Sequence, residues 1–259
     1  MIKCEDLYQI MAKNDLTWFS GIPDSTFKEW MSFLNDRHGQ GLTNRIAAIE
    51  RDAIGWAAGY HVATGKIGVV YIQNSGLGNV VNPLTSLADP EVYNIPILLM
   101  VGWRGEPGKQ DEPQHIKMGR ITLPLLDVLE VKYSILPDNI EETEQVVIQA
   151  KKYLDEARGI YALIVKEGTF GEYKGRDERE DDGISREEAI KMTIDSMSGT
   201  EIIVSTTGKA SRELFDYREK KKVSHQNDFL MVGSMGLASS FGAEIALQKP
   251  EKKVFIFDG

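Results

Sequence analysis

Short apolar runs alternate with amphipathic stretches along most of this chain, and that alternation restricts its fold more than any other feature. Runs of strand length fall at 17–20, 45–49, 67–72, 97–101, 133–136 and 161–165. Helical patterns lie between them. Phe27, Trp30, Met31 and Leu34 recur at i, i+3, i+4 and i+7, and further patterns start at Glu50, run from Val80 to Leu87, and run from Ile140 to Ala157. Such alternation predicts an α/β fold, because parallel strands need crossover connections and those crossovers cover both faces of the sheet. Ligands in these folds bind beyond the carboxyl ends of the strands.

The pattern breaks once. Between Gly168 and Ser185 the sequence becomes charged and glycine-containing, as an interdomain linker does. The expected organisation is a first domain over 1–168, a linker over 169–185 and a second α/β unit over 186–259. That second unit should hold strands at 201–205, 229–232 and 254–257, with helices at 186–197, near Ser211 and at 237–247. It is short for a domain and finishes on a strand with no helix after it, so the chain is expected to be cut inside this unit.

The charge balance, 39 acidic against 30 basic residues for a net −9, argues against a nucleic-acid or anionic-membrane partner. An anionic ligand must therefore be held by a local cluster. The single cysteine, Cys4, excludes an internal disulfide and suits a reducing cytoplasm. No run approaches the length of a membrane span, and the first residues lack a signal-peptide core.

Glu50 opens a helix whose buried stripe is Ala53, Ile54, Ala57, Ala58 and His61, and helical spacing points Glu50 into that stripe. No capping box accounts for it, because the residue three positions earlier is Ala47. A carboxylate aimed into an interior needs a hydrogen-bond donor. After the strand around Val70 come Gln73, Asn74, Ser75 and Asn79, a concentration of amides and a hydroxyl at a strand's carboxyl end. Gly76 and Gly78 permit a tight turn there, but a dinucleotide fingerprint would need glycine where Val81 stands.

Two segments of the second unit stand out. Thr207, Gly208, Lys209 and Ser211 resemble a phosphate loop without its upstream glycine, which is replaced by Ile203, so a triphosphate P-loop is excluded. A helix N-terminus there can still cradle a phosphate. Gly233, Ser234 and Gly236 flank Met235 before another small-residue helix. The stretch from Gly102 to Gly119 reads as one long loop carrying Arg104, Lys109, His115 and Lys117, with arginine suited to an oxyanion. Asp111, Glu112 and His115 match no zinc or calcium pattern.

Taken in order, GIPDS (21–25), the Glu50 helix, QNSGLGN (73–79), GWRGEPGKQDEPQH (102–115), TTGKASRELF (206–215) and GSMGLASSFGAEIAL (233–247) resemble the phosphonopyruvate decarboxylases. These are a branch of the thiamine-diphosphate-dependent 2-oxo acid decarboxylases, and sulfopyruvate decarboxylase is a near relative. The resemblance implies a pyrimidine-binding domain followed by part of a diphosphate-binding domain. It implies that Glu50 hydrogen-bonds the cofactor's aminopyrimidine, while Gln73, Asn74 and Asn79 face that ring or the substrate. Thr207, Gly208, Ser211, Gly233 and Ser234 would line the diphosphate side, with Met235 as the wedge that bends the cofactor. Ser25, Arg104 and His115 would bind the substrate's phosphonate and carboxylate, and Asp24 would carry a proton. It further implies self-association with an active site shared between subunits. The magnesium ligands, Asp-Gly and Asn, are expected beyond Gly259. Without them a non-catalytic assembly or cofactor-binding module is the alternative reading of the chain.

Overall fold

The computed structural model of the protein describes residues 1–176 and 183–258. Residues 177–182, the middle of the expected linker, and Gly259 lie outside the described residues. The chain forms two compact units, Met1–Asp177 and Glu178–Gly259.

The first unit is built on six parallel strands: β1 (Trp18–Gly21), β2 (Thr43–Ile46), β3 (Gly68–Gln73), β4 (Ile97–Gly102), β5 (Lys132–Ile135) and β6 (Ile160–Val165). Their spatial order is β2-β1-β3-β4-β6-β5. Helices α1 (Cys4–Lys13), α2 (Lys28–Arg37), α3 (Glu50–Thr64), α4 (Leu77–Pro83), α5 (Pro113–Val128) and α6 (Ile140–Glu156) connect and cover them. The central strands β1, β4 and β6 are buried along their whole length, as a sheet covered on both faces requires. The two-residue period of a strand sorts their side chains into two cores. Val69, Tyr71, Leu98, Met100 and Leu163 face one way, while Val70, Ile72, Leu99, Val101 and Ile164 face the other.

On the second face α3 presents Ala53, Ile54, Ala57 and Ala58, all buried. Its small side chains let it lie close to the sheet. A Cβ placed on Gly68 would come 2.9 Å from Cβ of Ala57, so helix and strand meet there almost backbone to backbone. Gly65, at φ +72°, ends α3 in the left-handed conformation that glycine adopts without strain.

Several expectations from the sequence change. The stretch from Gly102 to Gly119 is not one loop, because α5 begins at Pro113, where the fixed φ of proline suits the first helical turn. Its fully buried residues are Gly119, Thr122 and Leu126, and Met118, Leu123 and Leu125 pack against the same core. Helix α1, unassigned from the sequence, buries Cys4, Leu7, Ile10 and Met11. The first residues of the expected linker are fixed to the first unit. Ile2 N–H donates to the Thr169 carbonyl at 2.8 Å, Phe170 stacks on Trp30 at 5.9 Å, and Tyr173 donates its hydroxyl proton to Asp36 at 3.0 Å.

The second unit has three parallel strands, β7 (Ile202–Ser205), β8 (Asp228–Leu230) and β9 (Val254–Phe257), in the order β8-β7-β9. Helices α7 (Arg186–Asp195), α8 (Lys209–Lys221) and α9 (Ala238–Gln248) accompany them. Ser185 and Glu188 close a capping box at the start of α7. Ile190, Ile194, Ile203, Ala210 and Leu214 form its small core. Among the described residues, no helix of either unit is long and apolar enough to cross a membrane.

The contact of α3 with the sheet yields a test. Ala57→Leu inserts a branched side chain where only a methyl group fits, so it should destabilise the protein by about 1–3 kcal/mol. Equilibrium urea unfolding measures this, and an unchanged midpoint would contradict the close packing.

Candidate active site

Parallel pairing sets the geometry of one end of the first sheet. Gly21 is in register with Tyr71, and Gln73 with Gly102, so the segments leaving β1, β3 and β4 emerge side by side. After β1 the chain turns outward to β2, and after β3 it turns the other way to β4. The crevice beyond the carboxyl ends of β1 and β3 is thus a topological switch point, where α/β folds bind ligands.

Glu50 stands at this end, in the first turn of α3, and is 8% exposed. No side chain caps the helix, and the macrodipole favours a carboxylate at this position. The donor that a buried carboxylate needs is Asn79, whose Nδ2 donates to Glu50 Oε2 at 2.7 Å. Glu50 Oε1 accepts no hydrogen bond among the described residues. Gly76 lies against it: a Cβ there would sit 2.5 Å from Oε1. The glycine therefore keeps the space beside that oxygen clear.

A second carboxylate is held the same way. Asp24, 7% exposed, accepts from Gln73 Nε2 through Oδ1 at 2.7 Å, while its buried Oδ2 has no partner. Gln73 is itself oriented by Ser75, whose hydroxyl donates to Gln73 Oε1 at 2.6 Å. Gly102 makes room for Asp24, because a side chain at that position would collide with Oδ2.

Arg104 joins this group from the loop after β4. Its Nη1 donates to Ser25 Oγ at 2.8 Å, and that hydroxyl lies 3.5 Å from Asp24 Oδ1. Its Nε and Nη2 form a bidentate pair with Asp111, at 2.9 and 2.5 Å. Asp111 also accepts from the backbone N–H of Gly105 at 2.6 Å and of Glu112 at 2.7 Å. The Arg104 guanidinium and these amides hold its carboxyl well below the usual carboxylate range. His115, on the first turns of α5, has a buried Nδ1 without a partner. Burial, and then the Arg104 charge, push its pKa below the ordinary histidine value, so the ring is neutral at neutral pH.

Asn74 does not face the crevice. It is fully buried and donates to the Arg104 carbonyl at 2.7 Å and to Thr122 Oγ1 at 2.9 Å, tying the end of β3 to the Arg104 loop and to α5. Asn79 is exposed and spends one amide N–H on Glu50, which places it beside that carboxylate. Sequence reasoning missed Asp111 and Thr122. The signal that points to Asp111 is an acid seven residues after an arginine within one loop, a candidate ion-pair partner.

In the second unit, Gly208 precedes α8 at φ +92°, and α8 starts without a side-chain cap. Thr207 Oγ1 donates to the Val232 carbonyl at 2.5 Å, which joins the loop after β7 to the one after β8. Ser211 is 8% exposed and donates to the carbonyls of Thr206, at 2.7 Å, and Ser205, at 3.2 Å. Both hydroxyl protons thus serve the backbone instead of an open face. Gly233 opens a tight turn in which Ser234 (φ +59°) and Gly236 (φ +83°) are left-handed, and Met235 projects from it, 55% exposed. Among the described residues no group of His, Cys, Asp and Glu could hold a metal ion.

A parallel α/β unit with a buried, ligand-ready glutamate at its switch point defines a small-molecule or cofactor-binding domain. Residues 4–121 match the family described as "Thiamine pyrophosphate enzyme, N-terminal TPP binding domain". The chain belongs to this family of thiamine pyrophosphate enzymes. It is 32% identical to a phosphonopyruvate decarboxylase of Streptomyces viridochromogenes, across 100% of this chain and 66% of that protein. A sulfopyruvate decarboxylase of Methanosarcina acetivorans is 27% identical over 98% of this chain and 67% of its own length. The chain therefore spans about two thirds of these relatives. A solved thiamine diphosphate-dependent 4-hydroxybenzoylformate decarboxylase from Rhodococcus jostii RHA1 shares the fold. Its TM-score is 0.50 at 20% identity, over 88% of this chain and 44% of that one.

Glycine also fixes the Arg104 loop. A Cβ on Gly119 would run into the Gly105 carbonyl, and Trp103 Nε1 donates to the Gly119 carbonyl at 2.8 Å. Gly119→Ala should lift the loop off α5 and speed tryptic cleavage after the exposed Lys109 by about tenfold, since cleavage tracks local opening. Mass spectrometry of the fragments measures it, and an unchanged rate would contradict the glycine contact.

Proposed function

We propose that the protein decarboxylates 3-phosphonopyruvate to phosphonoacetaldehyde and carbon dioxide, a step of phosphonate biosynthesis, with thiamine diphosphate and magnesium as cofactors. The observation that carries this reading is the placement of Glu50 and Arg104 at one end of the same sheet. One is a buried carboxylate with an unpartnered oxygen, the other a fixed cation. The 32% identity to a phosphonopyruvate decarboxylase along the entire chain supports the same substrate.

The residues of the first unit fit the cofactor's aminopyrimidine. Glu50 offers one oxygen to a ring N–H while Asn79 holds the other, and Gly76 leaves the approach open. A carboxylate in a dry setting makes a strong hydrogen bond, because little water competes for it. Thiamine diphosphate, when bound, supplies the electron sink that accepts the electron pair left by departing carbon dioxide. The chain's own residues then bind, orient and move protons. Arg104 and Ser25 hold the phosphonate, with His115 as a neutral donor beside them. Asp24, fixed by Gln73, delivers the proton that replaces the lost carboxylate on carbon. The amides opening α8 and the turn around Met235 suit the diphosphate side, because a helix N-terminus favours a bound anion.

We also propose that the protein is cytoplasmic and self-associates, with active sites shared between copies. Sulfopyruvate is the second reading, favoured by the likeness to the Methanosarcina acetivorans enzyme. Competition between the two substrates decides between them.

The complete protein, supplied with thiamine diphosphate, magnesium and phosphonopyruvate, should release phosphonoacetaldehyde. Glu50→Gln should lower kcat by about 100-fold or more, the scale of losing one positioned proton-handling group. Absence of product, or unchanged turnover in Glu50→Gln, would sink the proposal.

A further inference from the structure

Asp111 lies outside the groups that would touch cofactor or substrate, yet its carboxylate takes four hydrogen bonds: two from Arg104 and one each from the backbone of Gly105 and Glu112. Its side chain is only 10% exposed, and that of Arg104 is 20% exposed. The bidentate contact uses Nε and Nη2 of the guanidinium, leaving Nη1 turned toward Ser25. A planar fork held on one edge can present its other edge in only one direction.

A competing partner stands next to it. Asp24 is buried, carries an unpartnered Oδ2 and lies one hydroxyl away from Arg104 Nη1 through Ser25. Its charge already acts on the guanidinium. An arginine released from Asp111 has a ready acceptor in Asp24, and that pairing would consume both groups. The guanidinium would no longer face an incoming anion, and Asp24 would no longer hold a free oxygen.

We propose that Asp111 is a positioning residue: it holds Arg104 away from Asp24, so that one edge of the guanidinium stays available to the anionic tail of a 2-oxo acid substrate. This role rests on the proposed reading of Arg104 as the anion-binding group. The acid that neutralises the arginine on paper is the one that keeps it able to bind.

The sign of one substitution separates this role from plain charge balance. If Asp111 were only a counter-ion, Asp111→Asn would remove a negative charge beside the receptor and tighten anion binding. Positioning requires the reverse. Calorimetric titration of the protein with phosphonoacetate, a non-reacting phosphonate carboxylate, reads the outcome. Asp111→Asn should weaken binding by about tenfold or more, the scale of a lost charge-assisted contact. Asp24→Asn combined with Asp111→Asn removes the competing carboxylate and should return the affinity to within about threefold of the unmodified protein. Unchanged or tighter binding in Asp111→Asn would overturn the proposal. Equal weakness in the single and double variants would overturn it too, since Asp111 would then act only as a scaffold of the loop. Failure of the unmodified protein to bind phosphonoacetate would overturn the anionic-substrate reading itself, and with it this role.

Discussion

Parallel, in-register pairing of β1, β3 and β4 is the constraint on which the rest of the first unit depends. Because successive side chains alternate faces, a slip of one residue in β3 would exchange Tyr71 and Val70 between the two cores. It would also carry Gln73 away from Asp24, and Asn74 away from the Arg104 loop. The core thus fixes the site by the same register that fixes itself. Burying Val, Leu and Ile side chains of β3 and β4 contributes about 1.5–3 kcal/mol each, far more than any single polar contact at the sheet's end. Packing sets the positions, and the polar groups refine them.

The two buried carboxylates share one device. Glu50 is held by the Asn79 carboxamide and Asp24 by the Gln73 carboxamide, each at 2.7 Å and each through one oxygen. A neutral amide fixes the direction of a carboxylate without cancelling its charge, so the other oxygen keeps its full power as an acceptor. Asp111 is treated differently. An arginine and two backbone amides saturate it, which suits a group that holds another in place and exchanges no proton itself.

Much of this could be seen in the sequence. The apolar runs of β3, β4 and β6 fall where those strands lie because a doubly covered sheet demands unbroken apolar segments, whereas the edge strand β2, polar and half exposed, starts two residues before the run expected for it and ends three residues short of its end. Helical spacing from Ala53, Ile54 and Ala57 turns Glu50 inward, and the residue is buried. Other features had no periodic signal. The first turns of α5 give no regular apolar signal, because Gly119 is there for close approach to the Gly105 loop and polar and charged residues interrupt the turns before it. Asn74 looked like a ligand-facing amide because a strand-end asparagine reads the same whether it points to solvent or beneath a loop. The partnership of Arg104 with Asp111 depends on the path of an irregular loop, which no spacing rule supplies. The boundary after the first unit is blurred for a related reason. The aromatic residues Phe170 and Tyr173, within an otherwise charged stretch, dock on Trp30 and Phe33.

We propose that Glu50 would hold the aminopyrimidine of thiamine diphosphate through the oxygen that Asn79 leaves free, a contact that would favour loss of the cofactor's C2 proton before any substrate arrives. The most direct measurement is the rate at which the C2 proton of thiamine diphosphate exchanges with deuterium on the complete protein, followed by proton NMR after rapid quenching. The account predicts exchange faster than on Glu50→Gln by about 100-fold, as expected for the loss of a proton-transfer group. Equal exchange rates in the two proteins, with the cofactor bound to both, would contradict it.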